Sequence, residues 1–399
     1  MHFHDPPRLP TGFRCASIHC GLKPEGEDLA LFASEVSCAA AAVFTRNHFP
    51  GAPILVGRER VRDGRLQAVV VNSKVSNVGT GEDGVAAARR MGGAAARELG
   101  IAEDLVLMSS TGVIGVPLPV ERIEAGLEGL SARFQGDPRV GVRGMMTTDS
   151  YPKAVSLELP TSRSGSQGGE AAATLTVVAK GSGMIAPNMA TMLAYAFTDA
   201  ELEAPALDAI LRRVVARTFN MLSVDTDTST SDTCAALANG LVGPVDPLHF
   251  EAALTEACEA MTELLARDGE GATRLLRVSV EGARDEVDAR RVARSVVDSP
   301  LIKTMVHGGD PNVGRILMAV GKCVDADVDP ERVAARIGEI QVVEQGRRAA
   351  FEDADVRAIL TGDPVDLVID LGVGSGEARA WGCDLSRGYI DENAAYYSS

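Results

Sequence analysis

Aromatic side chains are scarce in this chain: they make up 4% of its 399 residues, with a single tryptophan. A core of ordinary size must therefore be built from Ala, Val, Leu and Ile, which the 45% hydrophobic content supplies. No block of Lys or Arg is present and the net charge is −16, which argues against nucleic acid and anionic membranes as partners. No stretch approaches transmembrane length, and the opening Met1-His-Phe-His-Asp-Pro lacks the apolar region of a secretory signal. The seven cysteines are scattered with no C-x-x-C pair, so neither a zinc site nor a disulfide framework is expected. A cytoplasmic setting is therefore expected, and the length predicts two domains.

What the chain does have is a loop that meets core near its middle. Ala179-Lys180-Gly181-Ser182-Gly183-Met184-Ile185-Ala186-Pro187-Asn188-Met189-Ala190 carries glycines and a proline too closely spaced for a regular element. From Thr191 to Phe197 the run turns apolar and reads as a buried strand. Cleavage of the Ala190–Thr191 bond would give Thr191 a free α-amine beside its own hydroxyl. That amine has an ordinary pKa of about 7.7–8.0 and can serve as general base at neutral pH, a known route to covalent catalysis by threonine. Residue types alone favour the plainer alternative, a threonine that opens a core strand.

Several other stretches invite a functional reading. Gly79-Thr-Gly81-Glu-Asp-Gly84 spells G-x-G-x-x-G ahead of a helix predicted over Val85–Leu99. A dinucleotide site needs its first glycine directly after a strand, whereas the nearest strand, Leu66–Asn72, ends well before and Glu82 and Asp83 would face the phosphates. It reads as a turn and helix start. Asp225-Thr-Asp227-Thr-Ser-Thr-Ser-Asp232 has the look of a metal loop, but Thr230 and Ala236 stand where a calcium hand needs glycine and glutamate. The strand Leu105–Ser110 runs into Thr111-Gly112, where backbone N–H groups and a hydroxyl could form either an oxyanion hole or an ordinary turn.

Val120, Ile123, Leu127, Leu130 and Phe134 predict one amphipathic helix, Leu207 to Val215 another, and Phe250 to Leu265 a long third. Glu270, at a glycine-flanked corner, suits a substrate amine or a surface turn. A second domain is predicted from about residue 280. Within it Val365, Leu367, Ile369 and Leu371 alternate, and Gly374-Ser-Gly376 predicts a hairpin turn. His307 has no evident partner and reads as a structural, hydrogen-bonded histidine.

The fourteen residues Lys180-Gly-Ser-Gly-Met-Ile-Ala-Pro-Asn-Met-Ala-Thr191-Met-Leu resemble the processing site of the ornithine acetyltransferases, or glutamate N-acetyltransferases. Ser110-Thr111-Gly112-Val-Ile-Gly115, Thr147-Thr148-Asp149-Ser150-Tyr-Pro-Lys153, the acidic word from Asp225, Lys303-Thr-Met-Val-His307 with its continuation to Arg315, and the closing Tyr389 to Ser399 are similar to further words of that family. The resemblance implies cleavage between Ala190 and Thr191, Thr191 as nucleophile, and Thr111 with Gly112 as oxyanion hole. It implies Thr147, Lys180, Thr191, Glu270, Asn393 and Ser398 as substrate-binding residues, Thr147 being chosen over Thr148 and Ser398 over Ser399. The clearest departure is Lys74, in Asn72-Ser-Lys74-Val-Ser-Asn77, where relatives carry glycine; a positive φ or close backbone approach is at stake there.

The fold so implied is α/β: a four-layer αββα sandwich of the N-terminal-nucleophile kind over residues 1–280, and a smaller α/β domain over 281–399 whose tail returns to the active site. The implied reaction moves acetyl from N2-acetyl-L-ornithine to L-glutamate through acetyl-Thr191, giving L-ornithine and N-acetyl-L-glutamate in arginine biosynthesis. No metal or bound cofactor is expected, acetyl-CoA is an open second donor, and the two fragments are expected to remain associated as α2β2. Three alternatives stay open: an N-terminal-nucleophile amidase or peptidase using water as acceptor, an acetyltransferase of a specialised arginine- or ornithine-derived pathway, and a non-catalytic or dinucleotide-binding protein that never cleaves itself.

Overall fold

The computed structural model describes residues 2–161, 172–186 and 192–394. They divide into two compact units, one drawn from 1–181, 187–219 and 228–261, the other from 182–186, 220–227 and 262–399. The boundary expected at residue 280 falls inside a strand of the second unit.

The first unit is built on one sheet. Its strands are β1 (Phe13–Ile18), β2 (Leu29–Phe44), β3 (Arg65–Asn72), β4 (Val106–Ser110), β5 (Lys153–Pro160), β6 (Ala172–Lys180), β7 (Leu193–Glu201) and β9 (Thr233–Pro244). They run in the order β4-β3-β2-β9-β7-β6-β5, with β1 also on β2. The sixteen-residue β2 belongs to both halves. Its first part pairs with β1 and β3, its last part with β9, and its register against β3 shifts between Ala33 and Cys38. Such an irregularity bends a strand and steepens its twist.

The bend lets the two arms face each other. Phe32, on the first part of β2, stacks on Phe197 of β7 with ring centroids 5.3 Å apart, and Tyr195 joins the same core. Helices α1 (Ala52–Arg60), α2 (Gly81–Leu99) and α3 (Val120–Leu127) cover the outer side of the β3–β4 arm through Val56, Met91, Ile123 and their neighbours. Helix α4 (Pro138–Met145) adds Val140, Val142 and Met145 to the inner core. Helix α5 (Ala204–Arg217) turns Leu207, Ile210, Leu211, Val214 and Val215 inward, and α6 (Pro247–Arg267) buries Phe250, Leu254, Ala257 and Met261. Apart from α4 in the inner core, helices lie outside and two sheet arms inside: the unit is an αββα sandwich.

The scarcity of aromatics has a structural counterpart here. Ala39–Ala42 of β2 pair with Ala235, Ala236, Leu237 and Ala238 of β9, a small-residue floor that leaves the few large rings to fill the space between the arms. The G-x-G-x-x-G stretch is a turn and helix start, since α2 begins at Gly81. The single helix predicted from Val120 to Phe134 is instead broken. Glu98 accepts hydrogen bonds from the backbone N–H of both Gly129 and Ser131, so the chain turns there and resumes as a short 3-10 segment, Leu130–Arg133.

The second unit carries β8 (Leu222–Ser223), β10 (Leu275–Ala283), β11 (Ala334–Ile337), β12 (Ile340–Glu344), β13 (Arg347–Arg348), β14 (Val365–Asp370) and β15 (Gly376–Cys383), ordered β13-β12-β11-β14-β10-β15-β8. Its helices are α7 (Glu286–Val297), α8 (Pro300–Gly308), α9 (Gly314–Gly321), α10 (Asp353–Leu360) and α11 (Arg387–Asn393). The hairpin expected at Gly374–Gly376 does not form. β14 pairs parallel with β10 and β15 antiparallel with its other edge, so β10 lies between the two strands. The intervening turn crosses the end of β10, with Leu371 N–H donating to Glu281 and Val373 N–H to Gly282.

The ring stack supports a direct expectation. Phe32→Ala should cost about 3–5 kcal/mol of stability, read as a lowered urea midpoint. Phe49→Ala, at a side chain 75% exposed, should change it by no more than about 0.5 kcal/mol.

Candidate active site

β3 and β4 lie parallel and end together, with Asn72 level with Ser110. Asn72 organises the two turns beyond these strand ends. Its side-chain oxygen accepts from Ser110 Oγ at 2.6 Å, its side-chain nitrogen donates to the Val75 carbonyl at 2.9 Å, and its own carbonyl accepts from Thr111 N–H at 3.0 Å. The Thr111 amide is thereby spent. The donors that remain are the Thr111 hydroxyl and the Gly112 N–H, which have no partner among the described residues. Gly112 has φ +129°, and a Cβ on it would run into the Lys74 carbonyl group, so only glycine lets the two turns approach this closely. Lys74 keeps a left-handed backbone, φ +77°, in spite of its side chain; the geometry expected of a glycine survives the departure.

A second group forms at the end of α4. Ser73 Oγ donates to the Gly144 carbonyl at 3.0 Å and Lys23 Nζ to that of Met146 at 2.7 Å, which anchors the helix end beside β3. Beyond it the Asp149 side chain is fully buried. It pairs with Lys153 Nζ at 2.7 Å and accepts from Gly181 N–H at 2.6 Å and Thr147 N–H at 3.0 Å. Burial alone would raise this carboxyl, but the ammonium groups of Lys153 and Lys180 outweigh it and hold the value at about 2. Lys180 Nζ, on the last residue of β6, donates to Thr147 Oγ1 at 3.1 Å. Two of the residues expected to bind substrate are thus in contact, and one carboxylate positions both.

The second unit assembles its own group. Ser182 Oγ donates to the Asp268 carbonyl at 2.7 Å, and Glu270 N–H returns a bond to the Ser182 carbonyl at 3.0 Å. Between them, a Cβ on Gly183 would overlap the Glu270 carboxylate. Asn393 Nδ2, on the last residue of α11, donates to Glu270 Oε2 at 2.7 Å. Asn393 and Glu270, far apart in sequence, are therefore joined. Asp225 accepts from Met184 N–H at 2.6 Å and Ile185 N–H at 2.8 Å; its carboxyl is raised by burial despite these bonds. Burial, then Asp225, Glu270 and Asp227, push the Tyr389 hydroxyl upward.

The turn that carries Glu270 is held by Asp384, which accepts from Thr273 N–H and Oγ1, both at 2.7 Å, and from Arg274 N–H at 2.9 Å. His307 Nδ1 lies 2.7 Å from the same carboxylate. The structural histidine thus has a partner, one that spacing could not reveal because the two are 77 positions apart. Asp149, Lys153 and Asp384 were not singled out as site residues from sequence, and Asp225 was noted only as the head of an acidic word unlike a calcium loop. Asp149 and Lys153 do stand in the hydroxyl-rich word beside Thr147, which was the available signal. Ala190, Thr191 and Ser398 lie outside the described residues.

Asp149→Asn should destabilise the protein by about 3–5 kcal/mol by removing the carboxylate of a buried pair. The wild-type advantage has a defined pH window. A carboxyl lowered from 3.8 to about 2 stabilises fully above the higher value and loses that contribution as pH falls through the lower one. The stability difference between the two proteins should therefore narrow as pH falls from about 4 to about 2.

The model of the ArgJ family matches residues 14–398. Glutamate N-acetyltransferase Oat2 of Streptomyces clavuligerus is 44% identical over 397 residues, covering 98% of each chain. The arginine biosynthesis bifunctional protein ArgJ of Rhodococcoides fascians is 41% identical over 390 residues, covering 97% of this chain and 94% of that one. Among solved structures, the arginine biosynthesis bifunctional protein of Bacillus halodurans aligns with a TM-score of 0.49 at 38% identity, over 51% of this chain and 98% of its own.

Proposed function

Since the chain belongs to the ArgJ family, we propose that it is a glutamate N-acetyltransferase of arginine biosynthesis, acting on N2-acetyl-L-ornithine and L-glutamate through a threonine nucleophile. The near full-length likeness to proteins of that name carries the reading, and the two side-chain groups give it chemistry. Thr191, freed by cleavage after Ala190, attacks the acetyl carbonyl while its own amine takes the proton. The Thr111 hydroxyl and Gly112 N–H stabilise the charge that develops on the carbonyl oxygen. Such donors act on the transition state at little reorganisation cost, and the Asn72 network keeps both turns in place. Ornithine leaves, and the glutamate amine takes acetyl from acetyl-Thr191.

Lys180 and Thr147 suit a substrate carboxylate, a cation beside a hydroxyl held rigidly by Asp149. Glu270, steadied by Asn393, suits a substrate amine, and Ser398 is assigned to the substrate's polar end. The reaction needs no metal or resident cofactor; acetyl-CoA is a second acetyl donor in this proposal. Among the described residues no helix is long and apolar enough to cross a membrane, and we place the enzyme in the cytoplasm.

Cleavage need not separate the fragments. β7 and β9, which come after residue 191, pair with β6 and β2, which precede it, and two cut chains in a second pairing make α2β2.

Intact mass should show fragments of residues 1–190 and 191–399 that co-elute under native conditions, and Thr191→Ala should remain one chain. Initial rates with both substrates should give parallel ping-pong lines. Acetate release without glutamate would favour the amidase instead, and an uncut wild-type chain would remove the nucleophile. Lys180→Ala should leave cleavage intact and raise KM by about tenfold or more, the loss of one charge-assisted contact; an unchanged KM would remove that assignment.

A further inference from the structure

No step of the proposed reaction uses Lys23, although it stands beside the Lys180–Thr147 pair. Its loop is fixed by Asp28, whose fully buried carboxylate accepts from the N–H groups of Cys20 and Leu22, both at 2.6 Å, and of Lys23 itself at 2.9 Å. A carboxylate engaged by several backbone amides holds a short loop in one shape, since such bonds are charge-assisted. The side chain is fixed as well. Lys23 Nζ donates to the carbonyls of Glu27 at 2.9 Å and Met146 at 2.7 Å. An ammonium carries three donors. The third finds no acceptor among the described residues, and none of their carboxylates lies within ion-pair distance of this half-buried charge.

Met146 and Thr147 are consecutive, so two lysines converge on one stretch of chain. Lys23 bonds the carbonyl of the first, and Lys180 Nζ bonds the hydroxyl of the second at 3.1 Å. Like charges gathered in a half-buried place are costly unless an anion joins them. The ionisation of Lys23 reflects this: burial lowers its pKa, Asp28 and Asp149 draw it up, and Lys180 pushes it down again. Asp149 is already engaged by Lys153 and by the amides of Thr147 and Gly181. We propose that Lys23 is a substrate-binding residue, its remaining N–H donating to the same substrate carboxylate that Lys180 and Thr147 are assigned to hold. The inference rests on that assignment. A carboxylate has two oxygens and accepts from several donors at once, so it joins two ammonium groups and a hydroxyl, and its charge offsets the repulsion between the lysines. Donor and acceptor both carry a carboxylate and enter in turn, so Lys23 serves both halves of the exchange.

The test compares N2-acetyl-L-ornithine with its C1-carboxamide, which keeps the shape without the charge. KM for the acid, and Ki for the amide as its competitor, are measured in wild type, Lys23→Gln, Lys23→Arg and Lys180→Ala. Neither constant depends on the fraction of enzyme that folds, so a loss of stability cannot mimic the result. Lys23→Gln should raise KM for the acid about tenfold, the loss of one charge-assisted bond. Its kcat should change by less than about twofold, as for a contact made equally in ground and transition states, and its Ki for the amide should stay near wild type. Lys23→Arg keeps the charge and should recover much of the KM. An unchanged KM for the acid in Lys23→Gln would overturn the proposal. So would an equal rise in KM and Ki, which would mean that Lys23 acts only by holding the end of α4. Equal rises for acid and amide in Lys180→Ala would instead overturn the carboxylate reading of the Lys180–Thr147 pair beneath it.

Discussion

The first unit's site depends on one buried charge. Taking a carboxylate out of water costs several kcal/mol, and the loss is recovered only with an ion partner and saturated hydrogen bonding. Asp149 has both: Lys153 at 2.7 Å, with the Lys153 ammonium also over the Tyr151 ring at 5.0 Å, and two backbone amides. Those amides belong to Thr147 and Gly181, on either side of the Lys180–Thr147 contact. In the proposed function this pair meets a substrate carboxylate, and a pair of that kind cannot be positioned by the substrate itself. Asp149 positions it beforehand, and the cost of desolvation is what makes the arrangement unique, because any displacement leaves the charge unsatisfied.

Close backbone approach plays the corresponding part elsewhere. At Gly112 a side chain would overlap the Lys74 carbonyl, and at Gly183 the Glu270 carboxylate. In both places a functional group is set by contact against a bare Cα. A carboxylate resting on backbone has little room to shift, and Asn393 takes up its outer oxygen. Lys74 shows the limit of the glycine rule. The left-handed backbone is retained by a lysine because the bonds around it, Thr111 to Asn72 and Val113 to Lys74, determine it from outside.

Elements with their own periodicity were legible in the chain: β3, β4, α5 and α6 form where apolar spacing places them. Misreadings arose where a distant group overrode local pattern. The apolar spacing from Val120 to Phe134 is continuous, yet Glu98 captures two amides in the middle of it. Val365–Leu371 alternates as a hairpin arm should, yet β10 offers both its edges and separates the arm from β15. Thr147 and Lys180 in the first unit, and Glu270 and Asn393 in the second, stand in words the sequence marked, and each pair is in contact. Asp384 was not legible, because its work is to bind backbone amides, and an amide carries no mark in a sequence; Asp225 stood out only as the head of an acidic word.

The order of strands has a consequence for when a nucleophile can exist. Residues before 191 supply β6 and β2, residues after it supply β7 and β9, and β9 lies between β2 and β7. Neither part of the chain can complete this sheet alone. Conversely, 182–186 precedes the proposed cut but belongs to the unit built mainly from 262–399. A chain cut before folding would have to find these pairings between separate molecules, at the entropic cost of association; a chain cut afterwards already has them. The amides of Met184 and Ile185, before the proposed cut, bond to Asp225, which comes after it.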